Sequence, residues 1–576
     1  MREFQMECVN IETDVLIIGA GPSGMWTAKH LKELEPGLQV TVVDKAGADW
    51  GGLMTMSEGD FDAVTPEENI DEWVKDLVYY WDGLCDQKLM ETLFQASYDR
   101  LCEYEKLGCA YTRKDDGNFK GIPQRGLDHV KLCITKVKGT GGEDMRDSLN
   151  KEMHRLDIQR IGRIMITELL QQDGHITGAV GFQVRTGQFC SFAAKAVVIA
   201  CGRGGWKCSY GKNTSTGEGL LLAYQAGAEL CNMEFAEVWN VPKLFSWEGQ
   251  TVLLPLGAKF VNAKGESFME RYSPVLKGNT DPHYTTMAMA METKAGRGPI
   301  YFDTSDLKEE DREFVQPAAG WQLLNHNKLK DIGIDFFRGT TEWQPQILSS
   351  FGGIVADAYG RTKVKGLYAV GRSRFLDAGV YIGGFDLSTT STTGYLAAEG
   401  IYQYLQQEGS NISTQLSKEE LEAKRLVLSR QIQKSGVNGK EVLRKIQELV
   451  LPYNVSILKS EESLQLALRE LQQIQQDLLP EMGSGDAHYL MKCKEIEAIA
   501  MVTEMFLKAS LMRKETRGGH YREDYPQRDN QNWLGWIKIC QENGNMKLYL
   551  DPVPLETYKH PVERYYQDNF HFPKKA

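Results

Sequence analysis

Apolar residues along this chain change period several times, and each change predicts an element. The first block is Val15-Leu16-Ile17-Ile18, a run without alternation, followed directly by Gly19-Ala20-Gly21-Pro22-Ser23-Gly24. An unbroken apolar run predicts a strand covered on both faces, and the glycines predict a tight turn into a helix. Gln39-Val40-Thr41-Val42-Val43-Asp44 predicts a second strand that ends on a carboxylate. Between residues 67 and 107 the apolar spacing becomes three and four, through Trp73, Leu77, Tyr80, Leu93, Tyr98, Leu101 and Tyr104. That is the helical period, and it assigns these aromatics to the core. From Ile158 to Gly202 the texture alternates. Ile164 to Leu170 and Ile176 to Phe182, with a turn at Asp173-Gly174, predict a small antiparallel sheet, and Lys195 to Cys201 predicts a buried strand after it. Thr216-Gly217-Glu218-Gly219 opens an amphipathic helix through Leu222, Ala226 and Ala228, with Thr216 placed as its cap and Glu218 in its first turn. Residues 418 to 480 suit an exposed helix with one apolar stripe, and Trp533 to Ile539 has the texture of a short strand.

The glycine order at 19, 21 and 24 adds chemistry to this pattern. Gly19 allows the sharp turn, Gly21 lets the backbone approach a pyrophosphate, and Gly24 lets the helix pack against the strand, with the helix N-terminus facing the phosphates. In a chain with 56 glycines the spacing alone is weak, so its context decides. Asp44 closes the second strand 20 residues after Gly24, where a carboxylate can accept from ribose hydroxyls. A dinucleotide is the expected ligand. The glycine-rich loop Lys45 to Leu53, with Gly51 and Gly52, is expected to touch the same ligand, and Gly202-Arg203-Gly204-Gly205 is a further place where backbone can meet it.

Composition narrows the class. A chain of 576 residues, 42% hydrophobic and 25% charged, is an ordinary globular protein long enough for about three or four domains. The net charge of -12 and a pI near 5.5 argue against a nucleic-acid surface, which needs a basic field, and suit a basic partner. No apolar run reaches the roughly 18 residues of a membrane-spanning helix, and Met1 to Ile11 is too polar for a signal peptide. The expected location is the cytoplasm. Eleven cysteines without a C-x-x-C pair predict reduced, buried thiols and no metal or cluster ligation within the chain.

Taken in order, a set of segments resembles the flavoprotein subunits of the succinate dehydrogenase and fumarate reductase family, with L-aspartate oxidase and the alpha subunit of adenylylsulfate reductase as relatives. The set is Gly19 to Gly24 with Asp44; Val197 to Gly202; Thr216 to Gly219 with Ala226-Gly227-Ala228; Met233-Glu234-Phe235; Phe268 to Tyr272; Gly296-Arg297-Gly298; Gly352-Gly353-Ile354; Gly366 to Gly371; Gly383-Gly384; and Thr516 to Pro526. The resemblance implies an α/β fold: a Rossmann-like FAD-binding domain in two segments, 1–240 and 340–405, an inserted capping domain, 241–339, a helical domain, 406–514, and a small C-terminal domain, 515–576. It implies FAD held by Gly19, Gly21, Gly24, Asp44, Gly51, Gly52, Ala200, Gly202, Thr216, Gly217, Glu218, Gly383, Asp386 and Leu387. Relatives that attach FAD covalently use a histidine in the loop that corresponds to Lys45–Leu53. None is present here, so the FAD is expected to be dissociable.

The resemblance also implies five positions that hold a dicarboxylate, and all five are replaced. Counting from the neighbouring motifs, the histidines fall on Trp239 and Leu348, the threonine near Pro255, the proton-transfer arginine on Pro282 and the clamp arginine on Tyr381. Each carboxylate of a dianion needs a cationic partner once it leaves water. A site lined by Trp239, Leu348 and Tyr381 suits an aromatic or apolar substrate instead; the alternative is that some of these side chains simply fill the cavity, as core aromatics do. The candidate catalytic residues are His283, next to the vacant arginine position, and Tyr381. Histidine changes charge near neutral pH and can serve as acid or base, although after Asp281-Pro282 it can equally sit in a surface loop. Arg297, Arg372 and Arg374 are candidate anion contacts. Arg372 stands where relatives carry an acidic residue that contacts FAD. The expected activity is an FAD-dependent oxidoreductase on a small, non-dicarboxylate organic molecule, with electrons exchanged through a separate iron-sulfur or ferredoxin-like partner. An electron-transfer or scaffold subunit with a decayed site, and an oxygen-reducing oxidase, stand as alternatives.

Overall fold

A computed structural model describes residues 8–572 except 137–140, 210–212, 245–250, 311–329, 335–339, 377, 410–411 and 415. Parts of the expected capping segment, and residues 1–7, therefore lie outside the described residues. The central element is a seven-stranded sheet. Strands β1 (Cys8–Ile18), β2 (Val40–Asp44) and β6 (Gln159–Gly162) run parallel on one side, and β9 (Phe189–Ile199), β8 (His175–Gln183) and β7 (Ile164–Gln172) follow on the other, in the order β6-β2-β1-β9-β8-β7. Strand β16 (Leu367–Ala369) pairs with β9, so the second segment of the chain returns to this sheet. The run Val15 to Ile18 is apolar at every position because both faces are covered. Val15 and Ile17 pack with Met25 and Leu31 of helix α1 (Pro22–Leu34), and Leu16 and Ile18 enter the core on the opposite face.

The expected antiparallel pair, β7 and β8, and the buried strand after it are all present and belong to one sheet. Phe189 to Ile199 contains no breaker and forms a single strand, which pairs with β8 through Phe189–Ala193 and with β1 in parallel along its whole length. β16 takes the place of β8 from Val197 onward. The helical stretch between 67 and 107 is two helices, α2 (Ile70–Tyr80) and α3 (Gln87–Lys106), capped by the side chains of Asn69 and Asp86.

Helix α7 (Phe385–Glu408) lies against α1 at very short range. A β-carbon on Gly394 would overlap the Ser23 carbonyl oxygen, and Thr27 Oγ1 donates to the Gly394 carbonyl at 3.0 Å. Packing of this kind brings the N-termini of α1 and α7 to the same side of the sheet, as Gly371 facing Ser23 Oγ also shows. A three-stranded sheet of β3 (Phe61–Asp62), β5 (Lys131–Cys133) and β4 (Gly121–Pro123) sits at the α7 N-terminus. Over the site lies a four-stranded sheet, β11-β14-β13-β12, from β11 (Ala236–Pro242), β12 (Lys259–Val261), β13 (Ile300–Asp303) and β14 (Thr340–Ser350), with helix α6 (Pro282–Lys294) packed on it.

The stretch 418–480 holds three helices of more than ten residues rather than one, α8 (Lys418–Gln433), α9 (Gly439–Val450) and α10 (Glu461–Gln473), with a single helical turn at Tyr453–Ser456 between the last two. Gly436 and Pro452 interrupt it. The apolar stripe survives in α10, where Leu464, Ala467 and Leu471 are buried and Leu466 is exposed. Helix α11 (Ala487–Met512) runs under the central sheet's loops. The tail strand begins two residues later than expected. Strands β17 (Gly535–Glu542) and β18 (Asn545–Pro552) form a hairpin that joins β10 (Leu230–Cys231) and β15 (Gly353–Ile354) in the order β15-β10-β17-β18. The chain's end is thereby tied to both of its earlier segments.

Candidate functional site

The cofactor half is built from turns at the ends of β1, β2, β9 and β16. Gly19 has φ +116°, and a β-carbon there would overlap the carbonyl oxygen of Ala200. One on Gly24 would overlap the carbonyl oxygen of Gly19. These two glycines and Ala200 serve the turn itself. Gly21, the N-cap of α1, is different: a β-carbon on it would meet no described atom within 4 Å, and the same holds at Gly202. At Gly52 the nearest described atom would be the Gly21 Cα at 3.6 Å, and at Gly383 the Gln124 amide, also at 3.6 Å. Four glycines thus present bare backbone to open space between the N-termini of α1 and α7, where unpaired backbone N–H groups favour anionic and carbonyl ligands. That arrangement fits a dinucleotide such as FAD.

Asp44 ends β2 as expected, and its carboxylate accepts from Ala20 N at 2.8 Å and Ala46 N at 2.7 Å. Burial raises its pKa, and the two N–H bonds oppose that. It braces the turn with one lone pair of each oxygen and leaves the others for a ligand.

Four residues expected to touch the cofactor, Gly51, Thr216, Gly217 and Glu218, pack against or bond to other parts of the fold. Gly51 packs against the side chain of Arg146, and Gly217 against Val502 of α11. Thr216 is not the cap. Helix α5 (Glu218–Gln225) starts from Gly217 in a left-handed conformation, with no side-chain cap. Thr216 Oγ1 instead donates to Glu218 Oε1 at 2.6 Å and accepts from Lys45 Nζ at 2.7 Å. Lys45 also bridges Glu218 and Glu495 of α11, whose pKa falls to about 2 because the charges of Lys45 and Lys207 outweigh its burial. Thr216 and Glu218 thus tie the cofactor loop to the helical domain. In the loop after β9, Gly204 packs on Val502 and Gly205 on Ser215 and Leu348, so only Gly202 faces the open space.

Asp386 and Leu387 lie in the first turn of α7, with Leu387 buried. Asp386 accepts from Arg203 Nη2 at 3.1 Å and forms an ion pair with Arg372, whose Nε lies 3.3 Å away, while Arg203 Nη1 donates to Glu237 Oε2 at 2.9 Å. Two guanidiniums and two carboxylates balance around Phe351, whose ring lies 4.4 Å from Arg203 and 5.7 Å from Arg372. Arg374 is fully enclosed and donates to the Asp357 and Ala356 carbonyls. It is therefore no anion contact.

The substrate half brings together residues from four separate segments. Trp239 and Leu348, from neighbouring strands of the capping sheet, form a buried cluster with Val241, and Tyr381 packs against it. The Trp239 and Tyr381 rings meet edge to face at 4.8 Å. His283 is not in a surface loop. It stands in the first turn of α6, fully buried, with its ring 6.1 Å from Trp239 and 5.5 Å from Phe351. Asp281, the N-cap of that helix, accepts from His283 N at 2.7 Å and from Nδ1 at 3.0 Å. Its other oxygen lies 2.5 Å from the Tyr80 hydroxyl, which is 3.1 Å from the Tyr381 carbonyl oxygen. Burial and the adjacent Asp281 push the Tyr80 pKa far up, so the phenol remains a donor. With its Nδ1 proton on Asp281, His283 presents Nε2. This atom and Trp239 Nε1 are buried without a hydrogen-bond partner among the described residues.

Arg297 does not belong here. It lies past the far end of α6, about 20 Å along the axis at about 1.5 Å per residue, and its guanidinium donates to Glu292.

Sequence reasoning missed Asp281, Tyr80 and Asp62. Asp-Pro ahead of His283 is itself a helix-start signal, an N-cap followed by proline at the first helical position, and would have placed His283 on a helix. Asp62 is fully buried at the α7 N-terminus. Burial pushes its pKa well above the usual carboxylate range, and the negative charges of Asp60 and Asp386 add to this against a single bond from Gln124.

The pattern that defines the FAD binding domain family matches residues 14–385, and that of the fumarate reductase flavoprotein C-terminal region matches residues 444–566. A fumarate reductase (CoM/CoB) subunit of Methanothermobacter marburgensis is 28% identical over 547 residues, covering 91% of this chain and 96% of that protein. In fold the chain is similar to a chain of E. coli quinol fumarate reductase, with a TM-score of 0.86 at 21% identity over 97% of this chain and 99% of that one. It is similar also to adenylylsulfate reductase of Archaeoglobus fulgidus, with a TM-score of 0.78 at 21% identity over 95% of this chain and 97% of that one. By these matches the chain belongs to the succinate dehydrogenase and fumarate reductase family of FAD-binding flavoproteins.

Proposed function

We propose that this flavoprotein oxidises or reduces an apolar organic substrate that is not a dicarboxylate, and exchanges electrons with a separate iron-sulfur or ferredoxin-like partner. The observation that carries the reading is the buried cluster of Trp239, Val241 and Leu348 with Tyr381 packed on it; Trp239, Leu348 and Tyr381 are three of the positions where, counting from the neighbouring motifs, the family's dicarboxylate-binding residues would fall. The nearby guanidiniums of Arg203 and Arg372 are balanced by Glu237 and Asp386. A substrate with an apolar body and one carbonyl-type acceptor matches this lining and the two buried nitrogens that have no hydrogen-bond partner among the described residues, Trp239 Nε1 and His283 Nε2.

FAD, when bound, supplies two-electron chemistry at its ring system. Trp239, Val241 and Leu348 exclude water from the reacting centre. Trp239 Nε1 orients the acceptor oxygen. His283 holds or accepts a proton at Nε2, while Asp281 fixes the ring by taking the Nδ1 proton and Tyr80 supports Asp281. The FAD is held without a covalent link, since residues 45–53 carry no histidine. Hot-acid precipitation should leave the flavin in the supernatant, and a yellow pellet would refute this point. The division into an FAD-binding domain, a capping domain, a helical domain and a C-terminal domain is proposed with the capping unit following the sheet from Ala236 to Ser350.

Partner exchange is supported by the subunit designation of the Methanothermobacter relative. Among the described residues no helix is long and apolar enough to cross a membrane, and we place the protein in the cytoplasm.

The substrate reading is tested by anaerobic photoreduction of the FAD-loaded protein, followed by mixing with fumarate or with an apolar conjugated enone. Flavin reoxidation by the enone and not by fumarate is expected, and saturable reoxidation by fumarate alone refutes it. The same reduced protein, mixed with air or with oxidised ferredoxin, tests the partner. Fast reoxidation by air alone favours an oxidase, and no reoxidation by either favours a scaffold role.

A further inference from the structure

Residues 558–572 form a strap that ties separate parts of the molecule together around the substrate half. At α2 and α3, the backbone of His560 exchanges two hydrogen bonds with the Gln87 side chain, at 2.7 and 3.0 Å, and Asn569 Nδ2 donates to the Tyr79 hydroxyl at 2.7 Å. Gln567 N donates to Asp82 Oδ1 at 2.9 Å, and Gln567 Nε2 donates to the Thr516 carbonyl at 3.0 Å. Beside α6, the Phe570 ring lies 5.9 Å from Tyr272 and 5.1 Å from Tyr284, and His571 N donates to the Tyr272 carbonyl at 2.6 Å. Between these anchors Tyr566 is buried.

Tyr566 meets the substrate half at two points. Asp281 N donates to its hydroxyl oxygen at 3.0 Å, and its ring lies edge to face on Tyr80 at 4.7 Å. Asp281 is the N-cap of α6, so its own N–H stands outside the helix's bonding, and a fully buried N–H needs an acceptor. The Tyr80 hydroxyl reaches one oxygen of Asp281, and the other oxygen accepts from His283 Nδ1. One side chain of the strap therefore fixes both the backbone of Asp281 and the phenol that holds its carboxylate. A β-carbon on Gly126 would lie 2.6 Å from the Tyr566 ring, so the loop between β4 and β5 packs directly on that ring. Gly519 stands at the imidazole itself, where a β-carbon would meet His283 Cδ2 at 3.6 Å. We propose that Tyr566 is a positioning residue for the Asp281–His283 pair, so that the C-terminal strap sets where His283 Nε2 stands and how fast a proton moves at it. The effect on rate rests on the proton-handling role proposed for His283; the effect on the pair's geometry does not.

The test uses the full-length, FAD-loaded protein and Tyr566→Phe, which keeps the ring and removes the acceptor. The first readout needs no substrate. The His283 Nδ1 proton, held by a buried carboxylate, should give a far-downfield proton resonance in the native protein that is missing from His283→Gln, and Tyr566→Phe should shift or broaden it. The second readout is flavin reoxidation after anaerobic photoreduction, with whichever organic oxidant the native protein turns over. Its limiting rate at saturating oxidant should fall about tenfold in Tyr566→Phe, the scale of one hydrogen bond, with the half-saturating concentration and FAD retention native. A native resonance in Tyr566→Phe overturns the proposal, as does a native limiting rate. Absence of the resonance from the native protein also overturns it, because there is then no held pair to position. Should fumarate alone reoxidise the flavin, the substrate reading fails while the resonance still decides this inference.

Discussion

Arg297→Met should cost stability and leave substrate handling intact. Glu292 is fully buried and accepts from Arg297 Nε at 2.8 Å and Nη2 at 2.7 Å, Arg271 Nη1 at 2.6 Å, Tyr272 OH at 2.8 Å and Asn262 Nδ2 at 3.1 Å. Burial by itself would raise the Glu292 pKa. The bonds from Arg297, Asn262 and Tyr272, with the charge of Arg271, outweigh it and hold the group at about 2 against an ordinary 4.5. At about 1.4 kcal/mol per tenfold in proton affinity, that difference is worth about 3 kcal/mol. The folded-state pKa is depressed, so the contribution is present above pH 4.5 and is lost as the pH falls towards 2. Arg297 supplies two of the five bonds. Its loss scales to about 1 kcal/mol, and the stranded negative charge brings the total to about 2 kcal/mol. Thermal unfolding of the FAD-loaded variant should fall by about 2 °C at neutral pH, the shift that about 2 kcal/mol gives when a 576-residue chain melts as one unit. Its acid unfolding should begin at a higher pH, because the Glu292 pKa moves back towards 4.5. Native melting combined with a raised substrate KM would refute the reasoning and return Arg297 to the substrate site.

Three further outcomes follow from the geometry. His283→Gln should slow the substrate half-reaction by about 10²- to 10⁴-fold, the range for a positioned general acid or base, with photoreduction and FAD retention native; equal losses in all three would make His283 structural. Gly21→Val should abolish FAD retention without lowering the melting temperature of the FAD-free protein, while Gly24→Val should lower that temperature, because only Gly24 is closed off by protein atoms; calorimetry of the two FAD-free variants separates them. Lys45→Met strands Glu218 in a largely enclosed network, while Glu495 keeps Lys207 and Lys492, and should cost about 3 kcal/mol, seen as loosened α11 in hydrogen exchange; native protection there would show the network to be idle.

The strand, turn and helix at the start of the chain were legible because they are local. Apolar run, glycine order and terminal carboxylate all act within 31 residues, from Asp14 to Asp44. The length of β9 was legible only in part, since its partners change midway from β8 to β16, and β16 lies far along the chain. Thr216 has the residue type of a cap, but Lys45 and Glu495 claim its hydroxyl's surroundings from opposite ends of the sequence. Arg297 shows the same limit. Its chemistry suits an anion, and the anion is Glu292 in its own segment. Asp62 gave no signal, because a two-residue strand has no periodicity and its importance comes from Gly384 and Gln124.

At the substrate end, the loss of cations is matched by a gain of proton-bearing groups. The segment Tyr381 to Gly384 is bracketed on one side by Tyr80, which joins the Tyr381 carbonyl to Asp281 and so to His283. On the other side Gln124 joins the Gly383 carbonyl to Asp62. Both links end on a buried atom without a hydrogen-bond partner among the described residues, His283 Nε2 and Asp62 Oδ2. On the proposed reading, Tyr381 at the position of a clamp arginine therefore need not silence the site. It removes recognition of a carboxylate, which requires charge, and leaves proton donation, which requires only a buried acid or imidazole with its tautomer fixed. A decayed site would have no reason to keep Asp281, Tyr80 and Gln124 bonded around two groups that each leave one buried atom without a hydrogen-bond partner among the described residues.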